Sequence, residues 1–334
     1  PTILYSVVSA IVATFSFDAL MAGAGSSIVR VLEGEYEVTS SLSITNTVVL
    51  RGDGREKTIL RQTTAGKRVI HFSNNNAKNS VIEKMTITGA SGSVSHGCGI
   101  YIEKGNAIEL LDLDVCGNGS SSHCNGGGVY VNTSNVLIKR CRIFNNNLTN
   151  GNSCGGGIAC WGTGCVIENS IICGNSANRS SGSDLGRGAG GIFLAENKSC
   201  SIRNCTIAAN AGKQVGGIYV NGSGGIVENC VIVGNTATMA DKSIVSDVVS
   251  YGVSAEEAKA VFRNCVVDAA TAPNETCVSA SSAATLVDAG NGNFYLAPGS
   301  SAINFGRAKE NEATGDLDLN ERVIGSAIDA GCYE

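Results

Sequence analysis

The chain has 334 residues, of which 43% are apolar and 16% charged, with 43 glycines, 3 prolines and a formal charge of −5. That composition excludes a disordered chain, which would be rich in proline and charge, and a collagen, whose glycines recur at every third position. The mild acidity leaves no basic stripe to neutralise phosphates, so no nucleic-acid partner is expected.

The first element is apolar. Ile3, Leu4, Val7, Val8, Ile11, Val12 and Phe15 recur at helical spacing, which predicts a cap helix within residues 1–27. The run is too short to span a bilayer, so no membrane span is expected. Asp18 is its only charge, and a helix apolar most of the way round is a candidate for burial or for self-association through residues 1–20.

From residue 28 to residue 290 the sequence repeats. "GIYIEKG" starts at Gly99, "GVYVNTS" at Gly128, "GIACWGT" at Gly157, "GIFLAEN" at Gly191 and "GIYVNGS" at Gly217, at spacings of 29, 29, 34 and 26 residues. Each unit holds short alternating runs separated by glycine and asparagine, which indicates strands joined by turns. Short strands with no helical pattern between them predict a solenoid whose coils stack about 4.8 Å apart. The expected fold is all-β: a right-handed parallel β-helix of three-stranded coils, as one continuous domain. Ile100, Val129, Ile158, Ile192 and Ile218 should form one inward stack, and Ile102, Val131, Cys160, Leu194 and Val220 another. Over about Ile28 to Asp288 the chain resembles the right-handed parallel β-helix superfamily. Its opening coils, "IVRVLEGEYEVTSSLSITNTVVLRGDGREKTIL", look like those of many extracellular members.

A second period lies inside the first. "SIRNCTIAAN" and "IVENCVIVGN" place Asn169, Asn204, Asn229 and Asn264 in one turn column, where a left-handed backbone is needed and asparagine tolerates it. Stacked amides can also hydrogen-bond along the axis. Lys84, Asp112 and Arg140 hold the column in earlier coils. The next column points inward: Cys141, Cys205, Cys230 and Cys265 should pack there as small apolar thiols. Other cysteines leave disulfides open, among them Cys165 with Cys200, Cys277 with Cys332, and Cys124 with Cys154. His96, Cys98, His123 and Cys124 lie in neighbouring turns and are chemically suitable for tetrahedral zinc. Their spacing fits no zinc-finger pattern, and disulfides explain the same cysteines, so no metal or other cofactor is expected.

The last 44 residues, 291–334, carry a further resemblance. "NGNFYLAPGSSAINFG" (Asn291 to Gly306) and "GDLDLNERVIGSAIDAGCYE" (Gly315 to Glu334) are similar to the bacterial choice-of-anchor Q domain. Leu296, Pro298, Gly299, Ser300, Ala302, Ile303, Asn304, Gly306, Asp316, Asp318, Arg322, Asp329, Tyr333 and Glu334 match its pattern, while Asn320, Ala330 and Cys332 depart from it. The resemblance implies a secreted, surface-associated bacterial protein and a closing C-terminal segment, and fixes no activity.

For chemistry, the outward positions of the Gly-Ile strands are His71, Tyr101, Tyr130, Ala159, Phe193 and Tyr219, with Ser73, Glu103, Asn132, Trp161, Ala195 and Asn221 beside them. Tyr101, Tyr130, Trp161, Phe193 and Tyr219 are candidates to stack on sugar rings. Hydrolysis would want two facing carboxylates, and Glu103 and Glu196 sit three coils apart. Asp112 and Asp114 face outward on another wall, where a solvated strand edge is their simplest role. A lyase would need a base and cations; the long loop with Arg179, Asp184 and Arg187, together with Lys104 and Lys213, offers weak candidates. The expected function is an extracellular surface β-helix protein that binds glycan in adhesion or self-assembles into filaments. The alternative is a polysaccharide lyase or glycoside hydrolase using the groove on the Gly-Ile face, so the sequence leaves open whether the chain is an enzyme.

Overall fold

Period-two alternation over three residues suffices for a strand only if neighbouring coils supply its hydrogen-bond partners. The computed structural model shows that they do. It describes residues 27–177, 188–195, 199–213, 215–221, 225–237, 248–251, 261–268, 275–308 and 315–334. The proposed cap helix and the self-association segment therefore lie outside the described residues. No described helix is long and apolar enough to cross a membrane.

The chain winds as a parallel β-helix. Among the described residues, nine strands from Ser27–Val31 to Val261–Arg263 form the first sheet and ten from Gly34–Val38 to Val278–Ser279 the second. The Gly-Ile strands form the third, of eight, from Leu42–Ile44 to Val248–Tyr251. Every pairing within these sheets is parallel, coil on coil. A fourth ladder of five two-residue strands, such as Asn147–Leu148 and Ser176–Ala177, adds a narrow wall that the sequence reading did not anticipate. Both expected inward stacks on the Gly-Ile strands are buried.

The turn column behaves as its chemistry requires. Asn169, Asn204, Asn229 and Asn264 have φ of +48°, +49°, +54° and +49°, and Lys84, Asp112 and Arg140 share that geometry at +58°, +53° and +49°. Asparagine and aspartate hold this conformation at low cost, and lysine and arginine do so less readily. Asn229 Nδ2 donates to Asn204 Oδ1 at 3.0 Å, as expected of stacked amides. Part of the column's amide capacity serves another purpose. Asn169 Nδ2 donates to the Gly315 carbonyl, Asn229 Nδ2 to that of Arg307 and Asn264 Nδ2 to that of Phe305, at 3.0–3.2 Å.

These bonds strap the C-terminal segment along the outside of the solenoid. Its apolar side chains, among them Leu286, Phe294, Leu317 and Cys332, pack on Ile171, Ala208, Val231, Val233 and Val266 of the second sheet. Arg55 Nη2 reaches the Leu317 carbonyl, 262 positions away in sequence, at 3.5 Å.

The sequence reading missed the deeper asparagine column. Asn118, Asn146, Asn175, Asn210 and Asn235 are buried at the corner before the fourth ladder. Each amide nitrogen donates to the amide oxygen of the next, at 3.1, 2.9, 3.0 and 2.9 Å. The backbone N–H of Asn118, Asn146, Asn175 and Asn210 points at that same oxygen. Here lies the reason for the repeated glycine: a Cβ on Gly128 or Gly157 would sit 3.0 Å from the Nδ2 of Asn146 or Asn175, and closer still to neighbouring backbone.

Cys141, Cys205, Cys230 and Cys265 are buried, as predicted. Burial pushes the Cys141 thiol up to about 12. The disulfide expectation is overturned: all fourteen cysteines are free thiols. Cys277 packs beside Cys265 inside the solenoid, whereas Cys332 lies outside it in the C-terminal cluster, so these two are in different cores. Cys154 donates to Asn125 Oδ1 at 2.8 Å rather than bonding to Cys124.

Candidate functional site

The outward column of the Gly-Ile sheet falls in register, His71–Tyr101–Tyr130–Ala159–Phe193–Tyr219. Side chains one coil apart are close enough for rings to touch. His71 stacks flat on Tyr101 at 5.0 Å, and Tyr101 lies 5.1 Å from Tyr130. Ala159 is too small to continue the series. Trp161, from the adjacent column, leans into the gap and touches Tyr130 at 5.3 Å and Phe193 at 4.7 Å. Phe193 then stacks on Tyr219 at 5.5 Å.

This ladder corrects part of the sugar-stacking reading. Tyr130, Phe193 and Tyr219 are 6%, 0% and 4% exposed, packed beneath Cys154, Ala189 and Val215 of the preceding turns. Their faces are spent on one another, so they form a wall. Tyr101 and Trp161 remain partly open.

The open end of the wall gathers polar chemistry that the sequence reading took separately. All three histidines of the chain meet there. His71 Nε2 lies 2.8 Å from Glu103 Oε2. A carboxylate only accepts, so the proton sits on Nε2 and Nδ1 of His71 carries the lone pair. His96 has the same tautomer: its Nδ1 accepts the Asn125 N–H at 3.3 Å, leaving Nε2–H as donor. The His96 ring is 6.0 Å from Tyr101, 4.9 Å from Tyr130 and 5.6 Å from His123. Arg68 lies over the Tyr101 ring at 4.7 Å and donates to Ser95 Oγ at 3.1 Å.

Burial lowers the proton affinity of His71, against the opposing bond from Glu103. Burial does the same to His96, reinforced by His123 and Arg68. Both imidazoles are therefore neutral near pH 7. Burial also raises the Tyr101 hydroxyl, which keeps its proton. No carboxylate ion-pairs with Arg68 among the described residues. By contrast Arg140 and Arg142 are held by Asp112 and Asp114. Asp114, at 4% exposure, is thus a buried ion-pair partner and no solvated edge. Its bond to Arg142 Nε is 2.7 Å.

The zinc constellation does not assemble. Cys98 and Cys124 turn inward, their sulfurs 3.4 Å apart and fully buried, while His96 and His123 turn outward. Among the described residues no three metal-ligating side chains converge. Glu196, Asp184, Arg187 and Arg179 lie outside the described residues. A cleft of about 490 Å³ opens elsewhere, between Phe144, Cys173, Phe294 and Tyr333. Its charged lining residue, Arg142, is already paired with Asp114, so the histidine cluster carries the chemistry.

Residues 68–291 match the family model described as the right handed beta helix region. The chain belongs to that family. Among solved structures, this β-helix is similar to pectate lyase Pel9A at 17% identity, with a TM-score of 0.53 over 96% of this chain and 91% of that one. It is more distantly similar to pectin methylesterase PemA from Erwinia chrysanthemi, at 13% identity and a TM-score of 0.40 over 81% and 89% of the two chains. The catalytic domain of a GH87 α-1,3-glucanase gives 15% identity and a TM-score of 0.40 over 80% and 53%. At these identities the likeness is one of fold. No curated protein matches the chain in sequence.

Proposed function

We propose that this β-helix protein is a polysaccharide lyase that acts on an acidic glycan laid along the first coils of the Gly-Ile face. The carrying observation is the convergence of all three histidines with Arg68 and Tyr101, in a protonation pattern suited to elimination. Cleavage of a uronate chain by β-elimination needs a base, a proton donor and a cation for the carboxylate. His71 Nδ1, fixed by Glu103, takes the proton from C5 of the sugar. The C5–H electron pair becomes the C4=C5 double bond as the C4–O bond breaks. The departing oxygen takes the proton of the Tyr101 hydroxyl, and solvent restores it. Arg68 meets the carboxylate that acidifies C5.

Hydrolysis by paired carboxylates is less well supported. The outward neighbours of Glu103 on adjacent coils are Ser73 and Asn132, and Glu103 itself is bound to His71. The other reading is a non-catalytic glycan-binding surface protein, favoured by the partly open Tyr101 and Trp161. A place outside the cell belongs to both readings and is supported by the C-terminal resemblance.

The test is ultraviolet detection of the unsaturated product from a panel of uronate polymers. Glu103→Gln should lower kcat about 10–100-fold by releasing the His71 tautomer. Binding without product would favour the surface protein. Absence of both from every polymer would remove the polysaccharide reading altogether.

A further inference from the structure

We propose that His96 and His123, with Arg68, form an anion subsite that binds protons more tightly when an acidic sugar is seated. This rests on the polysaccharide reading and adds to it a proton-linked affinity. Arg68 is tied through Ser95 to the turn that bears His96 and is not matched by a carboxylate among the described residues. The His96 and His123 rings meet edge to face at 5.6 Å, so the three cationic or potentially cationic groups share one small volume.

The charge balance decides the sign. His96 faces Tyr101, Tyr130, His123, Arg68 and the backbone N–H of Asn125, while Cys98 and Cys124 turn inward. Glu103 lies on the neighbouring strand end but is committed to His71, and Lys104 beside it adds positive charge. In the empty site, His123 and Arg68 both oppose protonation of His96. A carboxylate seated between these groups reverses that repulsion. Protons are then bound more tightly by the complex than by the free protein, and by reciprocity a protonated pair binds the anion more tightly. The two imidazoles share the proton, since double protonation beside Arg68 repels itself.

A uronate stays ionised down to about pH 3.5. Affinity should therefore rise as pH falls from 8 toward 5, on the order of tenfold.

The experiment is calorimetric titration of the full chain with trigalacturonate, in two buffers of different ionisation heat, near pH 6.5. A binding enthalpy that tracks buffer heat, with uptake of about half a proton at this pH, is expected. The methyl-esterified trimer should show no uptake. The double variant His96→Gln/His123→Gln should lose the uptake while Arg68 still binds the ligand. His123 is exposed, so His123→Gln alone guards against a folding defect and should reduce the uptake. With only three histidines to resolve, proton NMR gives a second readout: His96 should titrate about one pH unit higher in the complex. Buffer-independent enthalpy, or uptake that survives in the double variant, overturns the inference and leaves the lyase reading standing. Absence of any trigalacturonate binding overturns both.

Discussion

Two adjacent asparagines in "FNNN" face opposite fates, and replacing each by alanine separates the inner ladder from surface chemistry. Asn146 is 0% exposed, and its side chain makes four hydrogen bonds. Its Nδ2 donates to the Val115 carbonyl and to Asn175 Oδ1, both at 2.9 Å. Its Oδ1 accepts from the backbone N and the Nδ2 of Asn118, both at 3.1 Å. Asn146→Ala removes all four. Asn118 Nδ2 keeps the carbonyls of Ile87 and Cys116, but the Asn118 N–H is left buried without its acceptor. At about 1 kcal/mol net per bond, with a stranded buried donor among them, the loss should be about 4 kcal/mol and not below about 2. Asn147 is exposed and accepts one bond, from Ser176 Oγ at 2.7 Å, so Asn147→Ala should cost about 0.5–1 kcal/mol. Urea denaturation followed by far-ultraviolet circular dichroism measures both. A loss under about 1 kcal/mol for Asn146→Ala, or equal losses for the pair, would refute the inner ladder as a principal tie between coils.

Lys84→Gly should stabilise the protein by about 0.5–1 kcal/mol, because Lys84 pays for a left-handed φ of +58° without an asparagine amide; a lower denaturation midpoint would contradict this. The native protein should react with a thiol-specific dye only slowly, since burial raises the Cys173 and Cys332 thiols to about 12 and also pushes the Cys116 thiol upward. After denaturation without reductant, fourteen thiols should titrate, and a lower count would reveal disulfides. His71 and His96 have depressed proton affinities when folded, so their contribution to stability is present above the unfolded value of about 6.5 and is lost as pH falls through the folded values. Denaturation midpoints at pH 7.5 and pH 5 should fall in that order, and His96→Gln should flatten the difference; the reverse order would show that the rings gain protons on folding.

The coil architecture was legible because each turn of the solenoid repeats one local requirement. The inward stacks, the cysteine column and the left-handed turn at Asn204 or Asn229 follow from chirality and volume within one repeat. The inner ladder left a trace that went unread, since Asn146, Asn175, Asn210 and Asn235 follow Gly128, Gly157, Gly191 and Gly217 by 18, 18, 19 and 18 residues. Reading it needed the pairing of those columns across the core, which spacing alone does not supply. The site was half legible. Glu103 and Tyr101 were named from the outward column, and His96 and His123 from the turns, but for metal chemistry. That His71 joins them, and that Arg68 covers Tyr101, depends on how the turn before each Gly-Ile strand folds over the sheet. Phe193 and Tyr219 misled for the same reason: alternation says that a side chain points outward, not that a loop lies on top of it.

A spring made only of neighbour-to-neighbour contacts can unravel from either end, one coil at a time. The outer strap changes that. Its bonds reach Asn264, then Asn229, then Asn169 and finally Arg55, so sequence separations of 41, 78, 146 and 262 are bridged by one run of backbone. Peeling the last coils therefore requires detaching a clasp whose far end is fixed near the first. Loosening at one extremity is felt at the other, and the rod should resist end-fraying and proteolytic trimming as a single unit.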